Sequence, residues 1–283
     1  MANKITKVVS LIFVGIISLL CVVPFVVLIV GTLTGNSELA SGLAPVLGES
    51  EGYASLNLIP LYPTFKNIID IFLDSPEVYI MFWNSFKIVG IIILGHLIFA
   101  VPAAWALART RKRWGRVMFG LYMFCMILPF QVTMLSQYIV LDKLSILNTI
   151  WSVSLPIVFS TFPVFVIYSS FESIPQSVIE AAKIDGAGRL VTYAFIAVPI
   201  AKNGIVSAVL LTFFEYWNMV EQPVVFLKDK LLWPMSVYIP SFESDNLGRT
   251  FAFAAFSCIP LIVMFMVGKD ILLDGISIGA SED

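Results

Sequence analysis

Charge is what this sequence has least of. Asp, Glu, Lys and Arg make up 13% of its 283 residues, against about 25% in ordinary globular domains. With 59% hydrophobic residues and a mean hydropathy of +0.93, the chain reads as a polytopic helical membrane protein. A net charge of −2 leaves no broad basic surface for nucleic acid. Cysteine is scarce as well. Cys21, Cys125 and Cys258 fall in three separate apolar segments, with no CxxC and no Cys/His cluster. That pattern argues against a disulfide framework or a zinc site and makes them packing residues. The lone histidine, His96, lies inside an apolar run and reads as a buried, hydrogen-bonded side chain rather than a ligand.

Catalytic signatures are missing too. No G-x-x-x-x-G-K-[ST] occurs, and Gly268-Lys269 is followed by Asp270, so no P-loop binds nucleotide here. Neither G-x-S-x-G, H-E-x-x-H nor a kinase-type set is present. Glu215 alone lies clearly deep in an apolar segment, too little for acid–base chemistry. Uphill transport would draw its energy from a partner or an ion gradient.

What the chain does have is long apolar runs, about 20 residues being enough to cross the hydrocarbon core. Six candidate spans cover about 8–33, 85–108, 115–138, 149–171, 195–220 and 251–273, a single transmembrane domain over 1–283. The first follows Lys4 and Lys7 as a signal peptide would. Its run is too long for one, no A-x-A site follows, and Leu19-Leu20 before Cys21 do not make a lipobox, so it reads as an uncleaved span. Eleven of the 17 basic residues fall on one side, most densely in RTRKRWGR from Arg109 to Arg116. Acidic residues such as Glu38, Glu49, Asp70, Glu243 and Asp245 collect on the other. The positive-inside rule then places both termini, and the loop at about 172–194, in the cytoplasm.

Every span contains proline: Pro24, Pro102, Pro129, Pro156 with Pro163, Pro199 and Pro260. This is either ordinary membrane-helix irregularity or a set of kinked helices lining a path. In the outer loop at about 34–84, the Gly/Ser-rich first part reads as irregular. The later PTFKNIIDIFLDSPEVYIMFWNSF predicts one or two short surface helices.

The cytoplasmic loop ESIPQSVIEAAKIDGAGRL differs from everything around it. Pro175 suits a first helical turn, QSVIEAAKI contains good helix formers, and Gly186 and Gly188 end the run. Two to three turns are marginal alone, so this helix must pack on something. Ala181 and Ala182 would leave one face nearly flat for close approach, and Glu180 offers one charge for pairing. Resting on lipid is the alternative, which its small apolar face and few Lys/Arg residues disfavour.

Glu180-Ala181-Ala182, Asp185-Gly186, then Ile196, Pro199 and Ile200 resemble the EAA loop of ABC importer permeases, with Val198 where leucine is usual. Pro63 to Asn67, Asn84-Ser85, Ala103 to Arg109 and Trp217-Asn218 are similar to segments of the carbohydrate subgroup. So is the tail with Asp274-Gly275-Ile276 and Gly279-Ala280, although Ser281, Glu282 and Asp283 replace its basic end. The resemblance implies a type I importer-like fold in a bacterial or archaeal cytoplasmic membrane, in contact with membrane lipid. It implies a second homologous permease in a heterodimer, a cytoplasmic ABC ATPase dimer carrying ATP and Mg, and a solute-binding protein outside. This chain itself would hold no cofactor and perform no catalysis. Glu180, Ala181, Ala182, Asp185 and Gly186 would form the ATPase contact.

Substrate-path candidates are Glu215, Tyr216, Trp217 and Asn218 in LLTFFEYWNMV, with Gln131 and Gln137 on the third span. Aromatic faces beside polar groups suit sugars, and intramembrane carboxylates usually face a cavity. An aromatic interfacial belt is the alternative. Other functions stay open: the same fold moving amino acids or polyamines, an atypical exporter, or a membrane enzyme. A secondary transporter would show inverted repeats and midplane charges, and the sequence shows neither.

Overall fold

The structure is a computed structural model describing residues 2–110, 113–238 and 247–280. Arg111, Lys112, Glu243, Asp245 and residues 281–283, used above, lie outside the described residues. Among those described no strand forms; helices account for the fold. In chain order they are α1 (Ala2–Leu33), α2 (Asn36–Leu47), α3 (Lys66–Asp74), α4 (Pro76–Gly95), α5 (Val101–Arg109), α6 (Arg113–Ile127), α7 (Phe130–Lys143) and α8 (Ile150–Val158). There follow α9 (Phe162–Glu172), α10 (Gln176–Ile184), α11 (Arg189–Val191), α12 (Val198–Ile200), α13 (Lys202–Trp217), α14 (Glu221–Phe226) and α15 (Leu247–Ala280).

Among the described residues four stretches are long and apolar enough to cross a membrane: Thr6–Leu33, Pro76–Arg109, Ile150–Glu172 and Leu247–Ile271. Two more cross only as bent pairs, Val117–Ile127 with Phe130–Lys143 at 95°, and Arg189–Ile200 with Lys202–Trp217 at 71°. If each bent pair is counted as one span, the described residues hold six, the number expected from the sequence. The third and fifth are broken rather than continuous.

Proline explains one break and shapes the other. Pro129 has ψ 151 and stands just before α7, its extended backbone turning the chain between α6 and α7. Pro199 is preceded by a π-helical stretch, Thr192–Ala197, and Pro102 by another, His96–Ala100. Each stretch contains the residue four before the proline, Phe195 or Ile98. Widening the turn moves that carbonyl away from the ring, which has no N–H to give it. Pro24, Pro156 and Pro260 stay inside unbroken helices.

The chain divides into two compact units, residues 1–79 with 238–260, and residues 80–237 with 261–283. In the first, the expectation of an irregular 34–57 segment fails, because Asn36–Leu47 is helical. Tertiary contacts override the weak propensity of its Gly/Ser-rich sequence. Leu39 is fully buried, and the Glu38 carboxylate accepts from Asn57 Nδ2 (2.9 Å) and from the Leu61 and Tyr62 N–H groups (3.0 and 3.1 Å). Buried Asn67 donates to the Thr32 and Thr34 carbonyls, both at 2.9 Å, anchoring the expected short helix α3 to the end of α1. Residues 6–26 of α1 are all exposed, as suits a helix facing lipid or a partner.

In the second unit α9 packs between α5 and α13. Ala100, Ala104, Ala197, Ala201 and Ala208 keep these backbones close, the usual device of membrane helix pairs. At Gly204 a Cβ would lie 1.8 Å from Ser170 Oγ, so only glycine lets α13 approach α9 here.

Candidate functional site

The end of the second unit that bears α10 is held by a clamp. Arg109, the last residue of α5, donates through Nη2 to the carbonyls of Phe171 (2.5 Å) and Ile174 (3.1 Å) at the end of α9. Its guanidinium lies 4.8 Å over the Trp105 ring, and Trp105 meets Phe171 edge-on at 5.3 Å. A cation on the last carbonyls of a helix also opposes the negative end of its dipole.

The clamp seats α10, the EAA helix. Pro175 caps it with extended backbone (ψ 138), one position before the first turn where the sequence suggested it would sit. At the other end Ala187 N–H donates to Ala182 O (2.9 Å) and Gly186 N–H to Lys183 O (3.1 Å). That is a Schellman closure, and it puts Gly186 at φ +83, where a Cβ would strain the backbone. Ile179 and Ala182, one turn apart, are buried at 5% exposure each. Ser177, Glu180, Ala181 and Ile184, spaced i, i+3, i+4, i+7, form the opposite, exposed stripe. Asp185 and Gly186 are exposed beside it. The expected flat face of both alanines is therefore split: Ala181 looks out and Ala182 packs inward. Glu180 accepts from Gln176 Nε2 at 3.0 Å, one turn back on its own helix, leaving the group at the surface.

The second group of candidates lies at the other end of α13, and helical phase divides it too. Trp217 stacks on Phe213 (5.3 Å, 17° between planes), meets Phe86 at 5.0 Å, and is buried. Tyr216 is buried near His96, ring centroids 6.3 Å apart. Glu215 and Asn218 are exposed, on one stripe with Leu211. Thus Glu215 and Asn218 are available to a solute or a partner, while Tyr216 and Trp217 serve packing. His96 is buried as expected. Its Nε2 donates to Ile157 O (2.9 Å), which can only accept, so in the neutral ring Nδ1 is left to accept from Thr212 Oγ1 (3.3 Å). Among the described residues no three His, Cys, Asp or Glu converge as a metal site would require.

Gln131, at the start of α7, donates to Glu221 Oε1 of α14 at 2.6 Å. It thereby ties the broken third span to the outer segment after α13, and Gln137 hydrogen-bonds Thr133 within α7 at 3.1 Å. More side chains hold that outer segment than the sequence revealed. Asn148 Oδ1 accepts from the N–H groups of Lys228 and Asp229, both at 2.8 Å, and Asn148 itself has φ 58. Asn84 donates to Leu231 O at 2.7 Å, and Ser85 Oγ accepts from Met235 N–H at 2.9 Å. The Asn84-Ser85 pair stood out by resemblance alone. Nothing in the pattern marked Asn148 or Arg109 as clamps, because each acts on backbone groups distant in sequence.

A family model described as "Binding-protein-dependent transport system inner membrane component" matches residues 97–277. The multiple sugar-binding transport system permease protein MsmG of Streptococcus mutans serotype c is 27% identical over 207 residues, 70% of this chain and 75% of that one. The melibiose/raffinose/stachyose import permease protein MelC of Bacillus subtilis is 27% identical over 236 residues, 81% and 84% of the two chains. The sn-glycerol-3-phosphate transport system permease protein UgpE of Pectobacterium atrosepticum is 26% identical over 232 residues, 80% and 83%. In fold, the chain is similar to one in the crystal structure of a bacterial ABC transporter involved in the import of the acidic polysaccharide alginate. The TM-score is 0.79 at 22% identity, over 95% of this chain and 97% of that one. A family match over well more than half of the chain, four to six apolar spans among the described residues and the short helix that carries Glu180, Ala181 and Ala182 lead to one assignment: the protein is a multi-pass cytoplasmic-membrane permease of the binding-protein-dependent transport family.

Proposed function

We propose that this chain forms half of the path of an ATP-driven importer for a sugar or oligosaccharide, the other half being a second, related permease. A binding protein delivers the solute outside. A cytoplasmic ATPase dimer binds ATP and Mg and supplies the energy, so this chain performs no hydrolysis. The observation that carries the reading is α10, a short helix held from within by Ile179 and Ala182 that presents Ser177, Glu180, Ala181 and Ile184 outward. A groove on the ATPase takes that stripe, with Glu180 pairing to a cation there. Motion of α10 passes through the Arg109 clamp to the ends of α5 and α9.

The cargo reading rests on the sugar permeases among the relatives and on the exposed Glu215 and Asn218, which suit hydroxyl groups. A carboxylate exposed on a span is costly against lipid and at home in a path. The glycerol-phosphate relative supplies a second reading. Glu215 disfavours it, since a carboxylate beside the path repels an anion. Expression with neighbouring genes tests the proposal: the ATPase and a second permease co-purify, and vesicles take up a neutral oligosaccharide with ATP. Uptake of a phosphorylated solute, and of no sugar, would overturn the cargo reading.

A further inference from the structure

A cavity of about 670 Å³ lies behind α10, on the side away from its exposed stripe, between the end of α5 and the start of the fifth span. That is within the range of small-ligand pockets. Three cationic side chains line it, Arg109, Lys183 and Arg189, together with Trp105, Thr110 and Thr192. Among the described residues that line it, none is a carboxylate. Three like charges around one cavity raise a positive potential that an anion relieves. Guanidinium and ammonium groups match phosphate oxygens, while the Thr110 and Thr192 hydroxyls donate to Ala106 O (2.7 Å) and Gly188 O (3.0 Å) on their own helices.

We propose that this cavity binds a phosphate-bearing anion, held between Lys183 of the EAA helix and Arg189 of α11. A second observation bears on its source. The segment that contributes Arg189 and Thr192 to the cavity also carries Leu190, Val191 and Phe195, 81%, 47% and 77% exposed. Apolar side chains beside a basic pocket at the cytoplasmic end of a span suit acyl chains below a headgroup. An anionic phospholipid supplies both parts; free phosphate supplies only the first. Since Lys183 belongs to α10, occupancy would tie the seating of that helix to the lipid around it. The inference goes beyond the transport reading and does not depend on the cargo.

The test uses the complete purified transporter in detergent, titrated separately with short-chain phosphatidylglycerol, phosphatidylcholine and inorganic phosphate, with melting temperature as the readout. Phosphatidylglycerol is expected to give a saturable rise that phosphatidylcholine does not. Lys183→Gln with Arg189→Gln should abolish the rise, and Lys183→Arg with Arg189→Lys should restore it. A saturable rise with inorganic phosphate, dependent on the same two residues, supports the site and assigns it to free phosphate. An equal rise in the wild type and the double glutamine variant, or no rise with either anion, overturns the proposal. Should the double variant not fold, Arg189→Gln alone is read by the same criteria.

Discussion

Arg109 and Phe171 are joined end to end: the guanidinium that closes α5 donates to the carbonyl that closes α9, and a second hydrogen bond reaches Ile174 O just before the EAA helix. The two spans and the helix they support therefore share one cation. Arg109→Met leaves two partly buried carbonyls without it and should cost about 1–3 kcal/mol of stability. Arg109→Lys keeps the charge but not the planar fork and should recover only part. Thermal unfolding checks the stability. The ratio of solute-stimulated to basal ATPase activity in the assembled transporter checks the coupling, which a purely structural role would leave unchanged.

Gly186 should tolerate little. At φ +83 an alanine costs about 1–2 kcal/mol in the left-handed region, and asparagine costs less. Gly186→Ala should loosen the Schellman closure and speed amide exchange over residues 183–188, whereas Gly188→Ala, with open space around its Cβ position, should not. Equal exchange in the two variants would contradict the assignment of the closure to Gly186.

Gly204→Ala places a methyl against Ser170, where the gap is 1.8 Å, so α9 and α13 must separate. Overpacking of this kind costs about 1–3 kcal/mol. Ser170→Gly removes both atoms in the way, Cβ and Oγ, and should rescue Gly204→Ala in a double-mutant cycle followed by thermal unfolding.

Glu38 makes the outer loop acid-sensitive. The Asn57 amide holds its carboxyl below the ordinary 4.5, desolvation pulls it partly back, and the Leu61 and Tyr62 N–H groups lower it further. A folded value below the unfolded one means the contribution is complete above pH 4.5 and is lost as pH falls through the lowered value. Proteolysis between residues 48 and 62 should accelerate in the wild type as pH drops to about 3. In Glu38→Gln it should be faster at neutral pH and lose that pH dependence.

The spans and the EAA helix were legible because long apolar runs and a short amphiphilic interruption need only composition and spacing to be seen. What escaped was phase and continuity. Ala181 and Ala182 differ by 100° of helical rotation, enough to send one to solvent and the other into the core; the sequence lists both as small residues. The same rotation separates exposed Glu215 from buried Tyr216 and Trp217. Proline content likewise could not distinguish a break at Pro129 from a π-helical adjustment before Pro102 or an unbroken helix at Pro260. Proline fixes its own φ and removes one donor, which leaves the turn around it free to bend, widen or continue. The helix at 36–47 was missed for a related reason, since its support comes from Asn57, Leu61 and Tyr62.

The most direct test of the central claim compares three variants of α10 in the co-expressed transporter. Glu180→Lys reverses the one charge of the outward stripe, Ala181→Leu adds bulk to it, and Ala182→Leu adds bulk to the inward face. Pull-down of the ATPase on the tagged permease, with thermal unfolding of the permease itself, separates the faces. Glu180→Lys and Ala181→Leu should retain the permease's own stability and lose ATPase and uptake together, whereas Ala182→Leu should lower that stability first. Wild-type levels of bound ATPase and of uptake in Glu180→Lys and Ala181→Leu would contradict the reading of α10 as the element the ATPase grips.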